Sequence, residues 1–278
     1  MSFLLLTGVP RSGTTLAAAL LDKLEDTVCL SEPDEHVGLM KQSRDAADFV
    51  ASLFRSMKEA KRRLVAGDAV LDRRGPDGAT VTNYFGTSGD GPRPASFAVR
   101  PVDARNLSPD MFLAAKHNAL YAAVLPELVE YGGFRIVALV RDPVPVIRSW
   151  RSLTLPVSRG RLPAAERYWP EMRLLTASDM PLLDKQIMIF DLICRRFIEN
   201  AAGIALLRYE DMLEDSARLA VAAGRPLSPR VREEWLTTVN RPSRSADADV
   251  DLREAIRAVC ARGEAKSLLT FYPQYGRD

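Results

Sequence analysis

The chain alternates short apolar runs with longer amphipathic stretches, and the alternation reads as strands separated by helices. Residues 3–6, 27–30, 111–115, 135–140 and 204–208 are compact runs rich in Leu, Val, Ile, Phe and Ala. Such runs fit strands covered on both faces of a parallel sheet. Between them, residues 14–25 carry Leu16, Leu20, Leu21 and Leu24 at helical spacing, and residues 45–65 repeat Phe49, Leu53 and Met57 on one face. Further helices are predicted over residues 144–153, 183–200 and 251–262. Strands that alternate with helices imply a parallel sheet with right-handed crossovers. The predicted fold class is therefore α/β, a central parallel sheet flanked by helices in a three-layer sandwich. Its ligand site is expected beyond the carboxyl ends of the strands.

Residues 74–108 break the pattern. Gly, Pro, Asp and Ser dominate, from Arg74-Gly75-Pro76-Asp77-Gly78 to Gly91-Pro92-Arg93-Pro94. This composition predicts a long loop or short hairpin. A long loop inside a compact domain is commonly functional, so a flap over a substrate is expected here, within a single domain spanning 1–278. The tail holds a second such stretch, Arg241-Pro242-Ser243-Arg244-Ser245, before the last helix.

The chemistry begins where the first strand ends. Gly8-Val9-Pro10-Arg11-Ser12-Gly13-Thr14-Thr15 keeps both glycines of a nucleotide-triphosphate phosphate loop, G-x-x-x-x-G-K-[ST], but Thr14 stands where the lysine belongs. The cation has moved into the loop, to Arg11. A strand, a glycine turn and a helix start still converge backbone N–H groups on an anion. Lost is the lysine that reaches the β- and γ-phosphates, so the loop suits a phosphate other than that of ATP or GTP. The run 135–140 ends in Arg141-Asp142-Pro143, with Ser149 eight residues after Arg141, and the run 204–208 leads into Tyr209-Glu210-Asp211-Met212.

These three segments resemble the 3′-phosphoadenosine-5′-phosphosulfate (PAPS)-dependent sulfotransferases. Arg11-Ser12-Gly13-Thr14-Thr15 matches their [KR]-S-G-[TS]-[TS] loop, Arg141-Asp142-Pro143 with Ser149 matches their R-[ND]-P signature and its following Ser, and Tyr209-Glu210-Asp211-Met212 is similar to a Tyr-Glu-Asp-[LM] strand end. The resemblance implies that Pro10, Arg11, Ser12, Gly13, Thr14 and Thr15 hold the 5′-phosphosulfate, that Arg141 and Ser149 bind the 3′-phosphate, and that Tyr209 lies near the adenine. Glu210 and Asp211 are expected to cap the next helix. The implied activity is transfer of a sulfuryl group from PAPS to a hydroxyl or amine of a small-molecule or glycan acceptor, without a metal, leaving 3′-phosphoadenosine-5′-phosphate (PAP). A P-loop small-molecule kinase or nucleotide hydrolase is the alternative.

The acceptor needs a cation and a base. Lys116 is expected to be the cation, after a family pattern of Lys at a strand end. The base is open between Glu32 and His117, with Glu35 behind. Small-molecule enzymes of the family carry K-x-H, whereas here Lys116 and His117 are adjacent and Asn118 takes the third place. Adjacent strand residues point to opposite faces, so His117 is expected to face away from Lys116. His36 reads as a satisfied core residue. Trp150, Tyr168 and Trp169 read mainly as packing.

Composition narrows the context. In 278 residues, 47% are hydrophobic and 27% charged, ordinary for a globule with a sizeable core. A net charge of +2 gives no electrostatic case for nucleic acid. Cys29, Cys194 and Cys260 are scattered without metal-ligand spacing, which fits a reducing compartment. The start Met1-Ser2-Phe3-Leu4-Leu5-Leu6 has neither the basic flank of a signal peptide nor the length of a membrane span. The expectation is a cytoplasmic enzyme with no membrane partner.

Overall fold

In the computed structural model, which describes residues 3–85, 96–102, 107–239 and 250–276, the apolar runs form β1 (Phe3–Gly8), β2 (Thr27–Ser31), β5 (Phe112–Lys116), β6 (Arg135–Val140) and β7 (Ala205–Arg208). They pair in parallel in the order β2-β5-β1-β6-β7. The α/β class with a central parallel sheet is therefore as the sequence predicts. Alternate residues feed two cores. Leu5, Leu30, Leu113 and Val140 face one helical layer, while Leu4, Leu6, Ala114 and Leu139 face the other. That two-sided burial is why the runs are apolar at every position.

From β1 the chain runs to the edge strand β2, returns to β5 beside β1, and then crosses to β6 and β7 on the other side of β1. Helix α1 (Thr14–Leu21) follows β1, α2 (Asp34–Gln42) and α3 (Ala46–Ala66) follow β2, α4 (Asn118–Ala123) and α5 (Leu125–Tyr131) follow β5, and α6 (Pro143–Arg151) follows β6. Helix α3 starts where Asp45 accepts the Asp48 N–H at 2.8 Å and stops at Gly67, whose φ of 77° ends the helix without a Cβ penalty. Helix α1 is shorter than the predicted 14–25. It is capped by Asp22, whose backbone is still helical and whose N–H bonds the Ala18 carbonyl, while its carboxylate accepts the Cys29 N–H at 2.8 Å and the Arg74 guanidinium at 2.8 Å.

Part of the segment predicted as a loop is a hairpin. Strands β3 (Leu71–Arg74) and β4 (Ala98–Pro101) pair antiparallel as a separate ribbon. Residues 86–95 and 103–106 of that segment, and Arg241 to Ser245 of the tail, lie outside the described residues. The ribbon is rooted in the domain by Arg74, which is fully buried between Asp22 and Asp72, its Nε 2.9 Å from Asp72 Oδ2. Asp72 in turn accepts the Ser31 N–H at 2.7 Å. Removing one partner from such a buried charge network costs about 3–5 kcal/mol. Among the described residues, no helix is long and apolar enough to cross a membrane.

Candidate active site

The carboxyl ends of β1, β2, β5, β6 and β7 border one cavity of about 620 Å³. Its floor is the glycine loop. Gly8 has no room for a Cβ, which would stand 2.6 Å from the Leu139 carbonyl oxygen and 2.7 Å from Ser12 Oγ. Gly13, at φ 93°, has the Tyr209 ring against it, 2.2 Å from where a Cβ would be. The two glycines are thus set by close approach and by a left-handed turn. The turn delivers the first N–H groups of α1, which have no intrahelical acceptor, to the cavity beside Thr14 and Thr15. The loop is held from behind. The indole of Trp150, fully buried on α6, donates to the Pro10 carbonyl at 2.8 Å. Ser12 Oγ is buried and has no hydrogen-bond partner among the described residues.

Arg11 adopts φ 72°. Its Nε donates to Ser149 Oγ at 3.1 Å, another nitrogen donates to Asn83 Oδ1 at 3.1 Å, and the guanidinium lies 5.4 Å from the centre of the Phe85 ring. Ser149 therefore meets Arg11, but it does not line the cavity, whereas Arg141 does. The Arg141 guanidinium stacks 4.4 Å from the centre of Tyr209. Glu210 departs from its predicted capping role. Its carboxylate accepts the Asp142 N–H at 2.9 Å and the Tyr272 hydroxyl at 3.0 Å, because the pairing of β6 with β7 brings the two strand ends side by side.

At the other side of the cavity Lys116 ends β5. The strand extends one residue beyond the predicted run because Lys116 pairs in register with both Leu6 and Ser31. Its ammonium donates to Glu32 Oε1 at 2.7 Å, reaches Thr15 Oγ1 at 3.4 Å and sits 4.3 Å from the centre of the Tyr84 ring. Glu32 follows β2 at φ 56° and gives its other oxygen to Arg73 at 2.9 Å. Burial pushes the Glu32 carboxyl up, but the charges of Lys116, His117 and Arg73 outweigh it and hold the group at about 2. Burial pulls the Lys116 ammonium below its ordinary value, against the opposing pull of Glu32.

His117 does not turn away from Lys116; both line the cavity. The strand ends at Lys116, so the alternation rule stops applying there, and His117 becomes the N-cap of α4, its Nδ1 accepting the Leu120 N–H at 3.4 Å. Burial lowers its pKa to about 4, with Lys116 adding to the effect and Glu32 opposing it. Asn118 also lines the cavity, and its side-chain oxygen is buried without a hydrogen-bond partner among the described residues. Glu35 is turned elsewhere, accepting the Ser56 hydroxyl at 2.6 Å. Tyr168 bonds the Met40 carbonyl and Trp169 is buried under Arg196, so neither aromatic faces the cavity.

Arg73, Thr82, Asn83, Tyr84, Phe85 and Phe97 complete the wall, all from the ribbon and its connection. Sequence reasoning missed them individually. The only signal was the turn-rich composition of residues 74–108, which marks a loop without saying which side chains face inward. Among the described residues no group of three or more His, Cys, Asp and Glu side chains is arranged to hold a metal ion.

The sequence matches no protein-family profile, and no curated protein matches it. The solved structures similar to it include two sulfotransferases. One is a sulfotransferase from Alicyclobacillus acidocaldarius, 13% identical over 99% of this chain and 96% of that one, with a TM-score of 0.44. The other is a sulfotransferase from Mycobacterium tuberculosis H37Rv, 12% identical over 92% of this chain and 75% of that one, with a TM-score of 0.41.

Proposed function

We propose that the protein transfers a sulfuryl group from PAPS to a hydroxyl or amine of an acceptor, with the described residues 82–85 and Phe97 of the predicted flap covering the acceptor. The observation that carries this reading is that the lysine-free phosphate loop, Arg141 at the end of β6 and the Lys116–Glu32 pair all border one cavity. The chain fits the donor. The first turn of α1, Thr14 and Thr15 offer N–H and hydroxyl donors to a 5′-phosphosulfate, and the partnerless Ser12 hydroxyl adds polar capacity beneath the loop. Arg141 offers a fork of donors to a 3′-phosphate, with Ser149 nearby on α6, and Tyr209 offers a ring face to the base.

The donor supplies an activated sulfuryl group: the acceptor oxygen bonds to sulfur as the bond from sulfur to the bridging phosphate oxygen breaks, leaving PAP. Charge then grows on that bridging oxygen, and positioned cations stabilise it without reorganisation. Arg11 and Lys116 are the side chains placed to do so. Side-chain cations suffice for this task, so the proposal needs no metal. The acceptor proton passes to Glu32, which is already ionised.

The test is calorimetric titration of the purified protein with PAP in the absence of Mg²⁺. Binding is expected, with about 2.7 kcal/mol of added stability at a ligand concentration 100 times Kd. Arg141→Ala should weaken PAP while sparing adenosine 5′-phosphosulfate, which lacks the 3′-phosphate. Stabilisation by Mg-ATP but not by PAP would overturn the reading in favour of a P-loop kinase or nucleotide hydrolase.

A further inference from the structure

We propose that the acceptor is an uncharged alcohol or phenol borne on an apolar body, in preference to a charged or unmodified glycan; this rests on the sulfuryl-transfer reading above. Much of the cavity wall is built from residues 155–164 and from the ribbon with its connection. Leu155, Val157, Leu162, Ala164, Phe85 and Phe97 present carbon to it. The backbone of that wall has little left to offer a sugar. The Leu155 carbonyl accepts the Ser158 N–H and hydroxyl, the Pro156 carbonyl accepts the Arg161 N–H, and the Val157 carbonyl accepts from Gly160 and from Gln186. The Leu162 N–H is taken by Glu166 at 2.7 Å. Sugar hydroxyls set against this wall would lose water without regaining hydrogen bonds, which is costly.

Charge argues the same way. The cations at this end already face carboxylates: Lys116 meets Glu32, and Arg73 spans Glu32 and Asp34 at 2.9 Å each. A carboxylate or sulfate placed at this end would meet only these two paired cations; the other cations lining the cavity, Arg11 and Arg141, belong to the phosphate loop and to the end of β6 beside Tyr209. Besides these paired cations, the lining here offers neutral polar groups: the Asn118 side-chain oxygen, which has no hydrogen-bond partner among the described residues, and the imidazole of His117, uncharged above pH about 4. Together with Glu32 they match one hydroxyl group. The acceptor side of the cavity therefore combines an apolar face with a few polar groups beside Glu32, the usual form of a small-molecule pocket.

The experiment measures transfer from labelled PAPS to 2-naphthol, 6-hydroxy-2-naphthoate and lactose, alongside fluorescence titration of 2-naphthol into PAP-loaded protein. 2-Naphthol should bind, and its kcat/KM should exceed that of the naphthoate and of lactose by at least about tenfold, toward the roughly 10- to 200-fold that apolar pockets achieve. Leu155→Asn and Ala164→Asp, both at half-buried positions, should each lower kcat/KM for 2-naphthol by about tenfold while PAP affinity stays unchanged. Preference for lactose or the naphthoate, absence of 2-naphthol binding to the PAP-loaded protein, or indifference of 2-naphthol turnover to both substitutions overturns the inference. Those outcomes leave PAP binding intact, whereas absence of PAP binding itself sinks the sulfuryl-transfer reading.

Discussion

Glu32 and Arg11 are two of three non-glycine residues among those described that hold a left-handed backbone, at φ 56° and 72°. Each such residue costs of order 1–3 kcal/mol, and such strain concentrates at functional sites. At Glu32 the strained turn is fixed by its N–H bond to the Lys116 carbonyl at 2.8 Å, and it aims the carboxylate back at the Lys116 ammonium. A carboxylate held at about 2 is ionised throughout the working pH range, and in the proposed transfer its weak basicity would be sufficient because the acceptor proton becomes acidic as the oxygen–sulfur bond forms. His117 is a poorer base for a geometric reason. With Nδ1 accepting the Leu120 N–H, the neutral ring carries its proton on the other nitrogen, so that nitrogen donates. Glu32→Gln should therefore lower kcat roughly 10²–10⁴-fold, the usual worth of general acid–base catalysis. His117→Asn keeps a capping side chain and should change kcat less than tenfold. Steady-state kinetics of the two variants decides the matter, and the reverse order would make His117 the base.

At the scale of elements, the ends of β6 and β7 are clasped by the C-terminal segment. Tyr275 donates to Asp142 Oδ1 at 2.8 Å, and Asp142 also caps α6 by accepting the Val144 N–H at 2.9 Å. Tyr272 meanwhile bonds Glu210, which holds the Asp142 N–H. Arg141 is thus the residue whose neighbour is fixed from three sides. Tyr275→Phe removes a buried hydrogen bond to a charged group and should destabilise the protein by about 1.5–3 kcal/mol in urea unfolding. If Arg141 holds the 3′-phosphate as proposed, the KM for PAPS should rise in the same variant with kcat nearly unchanged, since that contact would be loosened and the reacting atoms would not. An unchanged KM would confine the clasp to stability. This clasp was not legible in the sequence, because Tyr272 and Tyr275 meet residues over a hundred positions away in the case of Asp142, and no periodicity records such pairing. The strands, α3 and the glycine loop were legible because each is a local pattern: an apolar run, a helical stripe with Asp45 before it and Gly67 after it, a turn needing glycine. Arg73, Asn83 and Tyr84 were not, since the ribbon that presents them has a charged and partly exposed sequence with no face to read. His117 shows the limit of a local rule, which failed one residue past the end of β5.

At the scale of the molecule, the parallel sheet gathers segments far apart in sequence into one cavity, and the same packing buries two histidines near it. His36 is buried and its Nδ1 lies 2.7 Å from the Tyr121 hydroxyl, as the expected core role requires. Burial lowers its pKa from the ordinary 6.5 to about 3, with the neighbouring His117 adding to the effect. The sign of the consequence follows from proton counts. Between about pH 6.5 and 3 the unfolded chain binds a proton at His36 that the folded chain does not, so stability falls as pH falls through that window. Above pH 6.5 neither state is protonated there and the contribution is level. A fully depressed group gives a slope of about 1.4 kcal/mol per pH unit, and His117, lowered to about 4, acts in the same direction over its own shorter range. Urea unfolding at pH 7, 6 and 5 should show this acid slope. His36→Gln, which keeps a hydrogen-bonding group opposite Tyr121 but does not titrate, should be less stable than the parent at pH 7 and lose less on acidification, its slope smaller by about 1.4 kcal/mol per unit below pH 6. Parallel pH profiles for parent and variant would mean that His36 takes up its proton in the folded state, and that burial beside Tyr121 does not set the acid limit of the fold.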